Sequence, residues 1–292
     1  MTAITIRTLN KSDRAAFEAF LRPRIERSMF LLSNVQIAGL VNEGKPFQGD
    51  YVAAFDGNDI VGVVSHFWNG NLNMNAPKHL GELVDAALHA SGRPVKGVIG
   101  PADQVAATID HLKLELDPKL VMLDEHEWLY SLQLSELILP EPLITGELIG
   151  RTLCESDVDV AVKWMVAYRI EAVGEIESEK LWREVEDRTR DDVGRGGRWV
   201  LEESSTGELL AMTGFNAMLP EAVQVGGVYT PPGLRGRGYG RAVVAASLRD
   251  KRDEGATLSI LFSGKKNVGA QRPYEAIGFN RIGEYWIMMF RR

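Results

Sequence analysis

The residues best suited to chemistry lie in one short segment, Arg235–Arg241, which reads RGRGYGR. A strand-like apolar run precedes this segment, and a helical apolar pattern follows it directly. Glycines let backbone N–H groups approach a ligand closely, and the dipole of the following helix favours negative charge at its N-terminus. Arginine side chains add full positive charges around the same turn. The segment therefore predicts a binding site for a phosphate-bearing ligand.

Two nucleotide-binding motifs do not fit this segment. The P-loop requires a lysine followed by serine or threonine, and no lysine occurs between Ala211 and Asp250. The dinucleotide-binding motif requires a further glycine, and counting from Gly236 and Gly238 places Arg241 at that position. Both spacings disfavour an ATPase or a dehydrogenase, and a nucleotide hydrolase stays only as a minor alternative.

The spacing Arg-x-x-Gly-x-Gly resembles the signature of the GNAT superfamily of acyl-CoA-dependent N-acetyltransferases. The second half of the chain resembles this family over its whole length. The resemblance implies that acetyl-CoA is the cosubstrate, that the loop wraps its pyrophosphate, and that the preceding strand runs beside its pantetheine arm. It implies no metal. The residues that would bind the coenzyme are Val228, Tyr229, Thr230, Arg235, Gly236, Arg237, Gly238, Tyr239, Gly240, Arg241 and Asn267.

The glycine pair Gly226-Gly227 lies inside the strand before this loop. Glycine pairs in strands often mark a bulge or a close approach of two backbones. By resemblance to the family, the acyl thioester would enter at this bulge. A flexible strand end is the alternative reading.

The resemblance also implies direct attack of a primary amine on the thioester within a sequential ternary complex. Asn267 would open the next helix, and Tyr274 would protonate the departing thiolate, which otherwise leaves as an anion. Pro273 removes a helical hydrogen bond just before this tyrosine, so the aim of its hydroxyl stays open.

The general base is less determined by the sequence. An amine with a pKa near ~10 must lose a proton before it attacks. Because all histidines precede the second half, a carboxylate acting directly or through water is expected there. The candidates are Glu221 at the start of the central strand and Glu171 beyond the first helix, with Glu175 nearby. For each of them, a solvated surface charge is the alternative.

Composition limits the class of protein. A chain of 292 residues with 45% hydrophobic and 25% charged residues suits two globular domains. No apolar run approaches the ~20 residues of a membrane helix, and the polar N-terminal region does not resemble a secretory signal. The single cysteine, Cys154, excludes an internal disulfide, so a cytoplasmic location is expected. A net charge of −7 argues against a nucleic-acid-binding protein.

A short repeat indicates that the chain contains one fold twice. The segment RTLNKSD at Arg7–Asp13 is echoed by RTLCESD at Arg151–Asp157, and similar element patterns follow both. The predicted fold class is α+β, with two tandem GNAT-like domains, each a mixed, mostly antiparallel sheet flanked by helices. We place a degenerate domain at 1–140, a proline-containing linker at 141–146 and the catalytic domain at 147–292.

The first copy is expected to bind no coenzyme. Where the glycine-rich loop should follow the central strand, Leu72–Leu88 reads LNMNAPKHLGELVDAAL. Only Gly81 remains, and no arginine occurs in this segment. Without glycines and positive charges, the segment lacks the features of a phosphate site.

Local patterns predict most of the remaining elements. Turn residues indicate hairpins around 56–59 and 204–207. We also expect separate strands at 120–123 and 129–139, a glycine-bearing loop at 192–197 and a final strand pair within 279–290.

The predicted activity is acetyl transfer to a primary amine, carried either by a small molecule or by a peptide. The identity of the acceptor, the use of other acyl groups and the formation of a homodimer stay open. A non-catalytic acyl-CoA-binding or sensory protein is the alternative class, and thiol release with a panel of amines separates the two.

Overall fold

The structure, a computed structural model, describes residues 3–291, which form two compact units. The first unit comprises the chain up to Leu129 together with the segment from Gly283 onward, and the second comprises Tyr130–Ile282. This division differs from the expected one, which placed a linker at 141–146 and the C-terminal end in the second domain. The difference arises because the last strand of the chain pairs with a strand of the first unit.

The first unit is a mixed sheet with helices. Its strands are β1 (Ile4–Thr8), β2 (Gly49–Asp56), β3 (Asp59–Phe67), β4 (Asn71–Asn75) and β5 (Gly97–Pro101). Its helices are α1 (Arg14–Leu21), α2 (Met29–Ala38), α3 (Leu80–Ser91) and α4 (Ala102–Leu112). The strand β6 (Val121–Gln133) runs from the first unit into the second.

The second unit repeats this order of elements. After the end of β6, a short helix, α5 (Glu141–Ile144), lies at the position of the expected linker. Its strands are β7 (Leu148–Thr152), β8 (Arg198–Glu203), β9 (Leu209–Met218), β10 (Ala222–Tyr229) and β11 (Leu258–Gly264). Its longer helices are α6 (Val158–Val173), α7 (Glu179–Arg195), α8 (Tyr239–Asp253) and α9 (Val268–Glu275). The last strand, β12 (Asn280–Phe290), begins here and ends in the first unit.

Three local expectations were wrong. The two strands expected at 120–123 and 129–139 are the single strand β6, and the strand pair expected within 279–290 is the single strand β12. Helix α7 extends to Arg195 through most of the loop expected at 192–197, and Gly196 then ends it in a left-handed conformation. Glycine is favoured just after a helix for this conformation, so the glycine signal marked the end of the helix.

Both units have the same strand order and the same change of strand direction. In the first, β1–β4 are antiparallel neighbours and β4 is parallel to β5. In the second, β7–β10 are antiparallel neighbours and β10 is parallel to β11. Parallel neighbours require a crossover, and α3 and α8 provide it. The mixed, mostly antiparallel sheet expected from the repeat is confirmed.

In the second unit, two helices pack on opposite faces of the sheet. Helix α8 buries an apolar side and binds β8 through Asp250, whose Oδ2 accepts a hydrogen bond from Trp199 Nε1 at 2.8 Å. Helix α6 packs over the other face, where Val200 of β8, Met212 of β9 and Tyr229 of β10 form one apolar cluster with it. Both faces of the central strand β10 are therefore covered, one by α8 and the other by α6.

The sequence repeat corresponds to a repeated ion pair. Arg7 at the end of β1 binds Asp13 through both terminal nitrogens at 2.7 Å, and Arg151 binds Asp157 at 2.6 and 3.1 Å. Each aspartate also accepts the backbone N–H three residues before it, at 2.8 and 2.9 Å. Bidentate arginine–carboxylate pairs are strong and directional, so each pair joins a strand end to the turn that starts the next helix.

Replacing Asp157 with asparagine should destabilise the protein by about 1.5–3 kcal/mol, because a buried carboxylate that accepts hydrogen bonds from Arg151 and from the backbone N–H of Cys154 is lost, although Arg151 keeps its pair with Glu202. The Asp157 side chain is only 6% exposed. Burial raises the pKa of the Asp157 carboxyl. The hydrogen bonds from Arg151 and Cys154 together lower this pKa by a larger amount, so the net shift is downward. Its contribution is therefore complete above the unfolded pKa of ~3.9 and is lost as pH falls through the lowered folded value.

Urea unfolding of both proteins at pH 7 and in steps below pH 4 measures this contribution. The difference in unfolding free energy should narrow in the acid range. Glu179→Gln is the control, since the Arg183–Glu179 pair is exposed and such pairs contribute about 0–1 kcal/mol. An equal effect of the two substitutions would contradict the role assigned to Asp157.

Candidate functional site

The loop between β10 and α8 occupies residues 230–238 and is built around two left-handed glycines. Gly236 has φ +79° and Gly238 has φ +83°, conformations that strain residues with a Cβ. Gly238 is also the residue that precedes α8, where no side chain caps the helix. The first N–H groups of a helix lack intrahelical partners, so those at Tyr239–Arg241 are available to an anion.

The arginines of this loop differ in their surroundings. Arg237 is exposed. Arg241 lies beside the loop, with Nη2 3.5 Å from the position that a Cβ on Gly238 would take, and its Nε is buried without a hydrogen-bond partner among the described residues. Arg235 is held in place: its Nε donates to the carbonyl of Thr230 at 2.9 Å. Arg241 therefore lies beside the glycine turn with an unfilled hydrogen-bond donor among the described residues.

The edge of β10 next to β11 opens towards this loop. Their parallel pairing runs from Ala222–Leu258 to Val225–Leu261, although β10 continues to Tyr229. Between Gly226 and Tyr229 the register of β10 against β9 also shifts, and Gly227 has φ +59°. The glycine pair therefore occupies a bulge, as the sequence indicated. The main-chain groups of Val228 and Tyr229 lie beyond the paired residues of β10 and β11 and can bind an extended ligand as an added strand does.

Glu171 does not lie free in the site. It is near the end of α6, and its Oε2 accepts a hydrogen bond from Arg235 Nη2 at 2.7 Å. This hydrogen bond holds the pKa of the Glu171 carboxyl below its usual range. A paired carboxylate with a lowered pKa is a poor proton acceptor. The geometry therefore indicates that Glu171 positions Arg235 and does not act as a base.

Replacing Glu171 with glutamine should change kcat by less than about 5-fold, because an exposed pair contributes about 0–1 kcal/mol. Release of Arg235 should slightly strengthen coenzyme binding. Steady-state kinetics and calorimetric Kd values for CoA measure both effects. Glu175→Gln is the matched control, because this nearby carboxylate binds Arg169 at 2.7 Å instead of the loop. A 100-fold fall of kcat in Glu171→Gln alone would restore the role of general base.

Glu221 lies away from the bulge. It occupies the tight turn between β9 and β10, where Leu219 and Ala222 exchange backbone hydrogen bonds. Its carbonyl accepts the N–H groups of Thr257 and Leu258, at 2.9 and 3.1 Å, which ties this turn to the start of β11. From Glu221 to Gly226 the strand rises about 17 Å at ~3.3 Å per residue, so the structure does not bring this carboxylate to the glycine pair.

Asn267 and Tyr274 lie at the two ends of α9. Asn267 is exposed, and its carbonyl accepts the N–H of Gln271 at 3.3 Å in the first helical turn. Tyr274 is half-buried near the end of the helix, and its ring packs edge-on against Phe279 with centroids 6.2 Å apart. Pro273 lies inside the helix, so the ring position of Tyr274 is set by Phe279 as well as by the helix.

Sequence reasoning missed Arg198 and Asp192. Arg198 Nε and Nη2 donate to Asp192 Oδ2 at 3.0 and 2.7 Å, which joins α7 to the first residue of β8. The pair was hidden because 192–197 was expected to be a loop. The available signal was an arginine placed immediately after Gly196-Gly197, at the start of a strand.

The corresponding loop of the first unit has another construction. Residues 76–79 alone join β4 to α3, against the nine residues 230–238 in the second unit. Pro77 has no N–H to donate, and the residue before the helix is His79 in a left-handed conformation, not glycine. This short loop has none of the glycines that shape the loop of the second unit.

Comparison with known families adds a match in the second unit. Residues 159–279, from α6 through α9, match the model of the acetyltransferase (GNAT) family. A search of curated proteins finds no match.

Solved structures of similar fold cover almost the whole chain. A Drosophila protein has a TM-score of 0.64 at 15% identity, covering 98% of this chain and 99% of its own. A GCN5-related N-acetyltransferase from Sphaerobacter thermophilus has a TM-score of 0.56 at 13% identity, with coverages of 99% and 96%. A tandem GNAT protein from the clavulanic acid biosynthesis pathway has a TM-score of 0.54 at 13% identity, with coverages of 99% and 98%. At these identities the similarity establishes the fold.

Among the described residues, no helix combines the length and apolar character that crossing a membrane requires.

Proposed function

We propose that the second unit, in which residues 159–279 match the model of the acetyltransferase (GNAT) family, is an acetyl-CoA-dependent N-acetyltransferase acting on a primary amine. The observation that carries this proposal is the uncapped N-terminus of α8 behind two left-handed glycines. It supports binding of the pyrophosphate by backbone N–H groups and by the arginines beside them. The adjacent opening between β10 and β11 supports binding of the pantetheine arm.

The proposed reaction is a direct displacement. The amine nitrogen attacks the thioester carbonyl carbon, the C–S bond breaks as the tetrahedral intermediate collapses, and the sulfur leaves with a proton. Backbone N–H groups near Val228 and the bulge polarise the carbonyl, as an oxyanion hole does. Tyr274 donates the proton to the thiolate. Asn267 binds the coenzyme at the start of the same helix.

The two carboxylates enter the proposal in different roles. Glu171 positions Arg235, with which it is already paired. Glu221 acts as a base only through intervening water molecules, since the strand separates it from Gly226 by about 17 Å. A water chain that leads from the amine to solvent then removes the proton.

The first unit is proposed to bind no acyl-CoA. Its β4–α3 loop is short and includes Pro77, so fewer backbone N–H groups are available to a phosphate. Isothermal titration of the whole chain with CoA should therefore give one site per chain. Two equivalent sites would contradict this part of the proposal.

The test of activity is release of thiol from acetyl-CoA with a panel of amines, followed by mass spectrometry of the acetylated product. Small amines, aminoglycosides, amino acids and peptides form the panel. Acetyl-CoA consumption that depends on an amine supports the enzyme.

A non-catalytic acyl-CoA-binding protein is the second candidate, and it is favoured by the position of Glu221 and the pairing of Glu171. Tight binding of CoA without transfer to any amine would support it.

Longer acyl-CoA donors in the same assay determine whether the acyl group is limited to acetyl. Cytoplasmic location and a homodimer remain proposals, for which fractionation and light scattering are the measurements.

A further inference from the structure

A buried arginine lies across the sheet at the level of the glycine bulge. The register pairs Arg198 of β8 with Gly214 of β9, and Gly214 with Gly226 of β10. Since Gly214 has no side chain, the guanidinium group extends over it towards the bulge. Arg198 Nη1 lies 3.7 Å from the position that a Cβ on Gly214 would take and 3.5 Å from the corresponding position on Gly227.

This guanidinium group is used on one side only. Its Nε and Nη2 donate to Asp192, which neutralises the positive charge. The side chain is 9% exposed, yet Nη1 has no hydrogen-bond partner among the described residues. A buried donor without a partner costs about 1–3 kcal/mol, so an unfilled donor of this kind calls for an explanation.

A second buried polar group without a partner in the described part of the chain, Gln224, lies on β10, the strand that contains the bulge. Alternate residues of a strand point to one side, so Gln224 shares a face with Gly226. Gln224 is fully buried, and neither its amide oxygen nor its amide nitrogen has a partner among the described residues. Met165 of α6 lies near the bulge on this face, 3.4 Å from the position of a Cβ on Gly227. The bulge therefore has polar groups beside it on the α6 side, opposite α8.

We propose that Arg198 Nη1 donates to an oxygen of the acceptor, a carbonyl or carboxylate oxygen on the carbon next to the one bearing the amine. This rests on the proposed acetyl transfer at the bulge. An oxygen held by Nη1 places the neighbouring amine beside Gly226 and Gly227, where the thioester carbonyl lies in that proposal. Because Asp192 already balances the charge, a neutral carbonyl satisfies Nη1 as well as a carboxylate does.

This chemistry is an α-amino acyl group, and it has two sources, a free amino acid and the N-terminus of a peptide. A free amino acid brings a carboxylate, and a peptide brings an amide carbonyl. Arg198 is then a specificity-determining residue, which binds the acceptor without taking part in proton transfer.

The test uses matched triplets of acceptors: an amino acid, its amide, and the amine that lacks the carbonyl carbon, for example alanine, alaninamide and ethylamine. Each is assayed with the whole chain and with Arg198→Lys, which keeps the charge beside Asp192 but loses the planar fork. A second variant, Arg198→Met with Asp192→Asn, removes both charges together. Comparing each acceptor with itself across variants cancels differences in amine basicity.

We expect both variants to lower kcat/KM by about 10- to 100-fold for the oxygen-bearing acceptors and by less than about 3-fold for the simple amines. The ratio of kcat/KM for the amino acid to kcat/KM for its amide identifies the source of the acceptor, a free amino acid or the N-terminus of a peptide. Arg151→Lys is the control, because it alters the same kind of ion pair with Asp157 away from the bulge. It should reduce stability and leave the acceptor ratio unchanged.

Equal losses for all three acceptors would overturn the proposal, since they would place Nη1 on the thioester or in a purely structural role. If the wild-type protein transfers acetyl to no acceptor, the proposed activity fails separately. Calorimetric binding to the CoA-saturated protein then decides the role of Arg198. Weaker binding of the amide to Arg198→Lys supports it, and equal binding of amide and simple amine, or binding of neither, overturns it.

Discussion

Replacement of Gly236 by aspartate should raise the Kd for CoA by about 100-fold, a loss of about 2.7 kcal/mol. Gly236 is exposed in the turn before α8, at φ +79°, with no atom within 4 Å of the position of a Cβ. Aspartate is one of the few residues that adopt this left-handed conformation without large strain, so the fold should persist. Its carboxylate would stand where the pyrophosphate has to approach the backbone N–H groups, and like charges repel there.

Gly207→Asp is the matched control for this prediction. Gly207 lies in the turn between β8 and β9 at φ +74°, and it too has no atom within 4 Å of the position of a Cβ. Both substitutions add the same charge in the same backbone conformation. Calorimetric titration with CoA should separate them, with an unchanged Kd in Gly207→Asp. If both variants bind CoA as the wild type does, the loop before α8 is not the phosphate site.

Replacement of Tyr274 by phenylalanine should lower kcat by about 100- to 1,000-fold, within the range that a positioned general acid contributes. The ring would keep its edge-on packing against Phe279, so the Kd for CoA should stay within about 2-fold of the wild-type value. The phenolic proton would be missing when the C–S bond breaks, and the thiolate would have to leave without protonation. Rapid-quench measurement of the chemical step, together with calorimetry, tests the two expectations.

Tyr130→Phe is the control for the loss of a hydroxyl group. The hydroxyl of Tyr130 donates to Glu275 Oε1 at 3.2 Å, next to Tyr274 in the chain, and the side chain is fully buried. This variant should lose stability and keep its kcat. A kcat in Tyr274→Phe close to that of the control would remove Tyr274 from the mechanism. In that case, an acyl donor with a more acidic thiol, which leaves more easily without protonation, should not raise the kcat of Tyr274→Phe more than that of the wild type.

The repeat shows how much of the fold could be predicted from the sequence. Arg7 and Asp13, like Arg151 and Asp157, are six residues apart, and the structure forms the same bidentate pair from both. Such an interaction is local, because the partners are joined by a single turn. The sequence therefore predicted two copies of one element order from these segments and from the similar patterns that follow them. The hairpins at 56–59 and 204–207 were predicted for the same reason.

The division of the chain into units could not be predicted from the sequence in the same way. Strand β12 follows the second copy in sequence, yet residues 285–289 pair with residues 97–101 of the first unit. Strand pairing between distant segments depends on which edge is available in the folded chain, and the strand itself carries no mark of its partner. The linker expected at 141–146 was placed by its prolines, but proline is also tolerated in the first turn of a helix such as α5.

For the candidate site, the sequence by itself determined the glycine loop that we propose binds the phosphate groups. Gly236, Gly238 and the helix that follows them form a contiguous unit, and its conformation depends on residues within a few positions of one another. Only the tertiary structure decided which carboxylates belong to the site. It pairs Glu171 with Arg235, separates Glu221 from the bulge, and brings Arg198 over Gly214 and Gly227. These outcomes depend on the registers of three strands and on the position of α6, which join residues far apart in the chain.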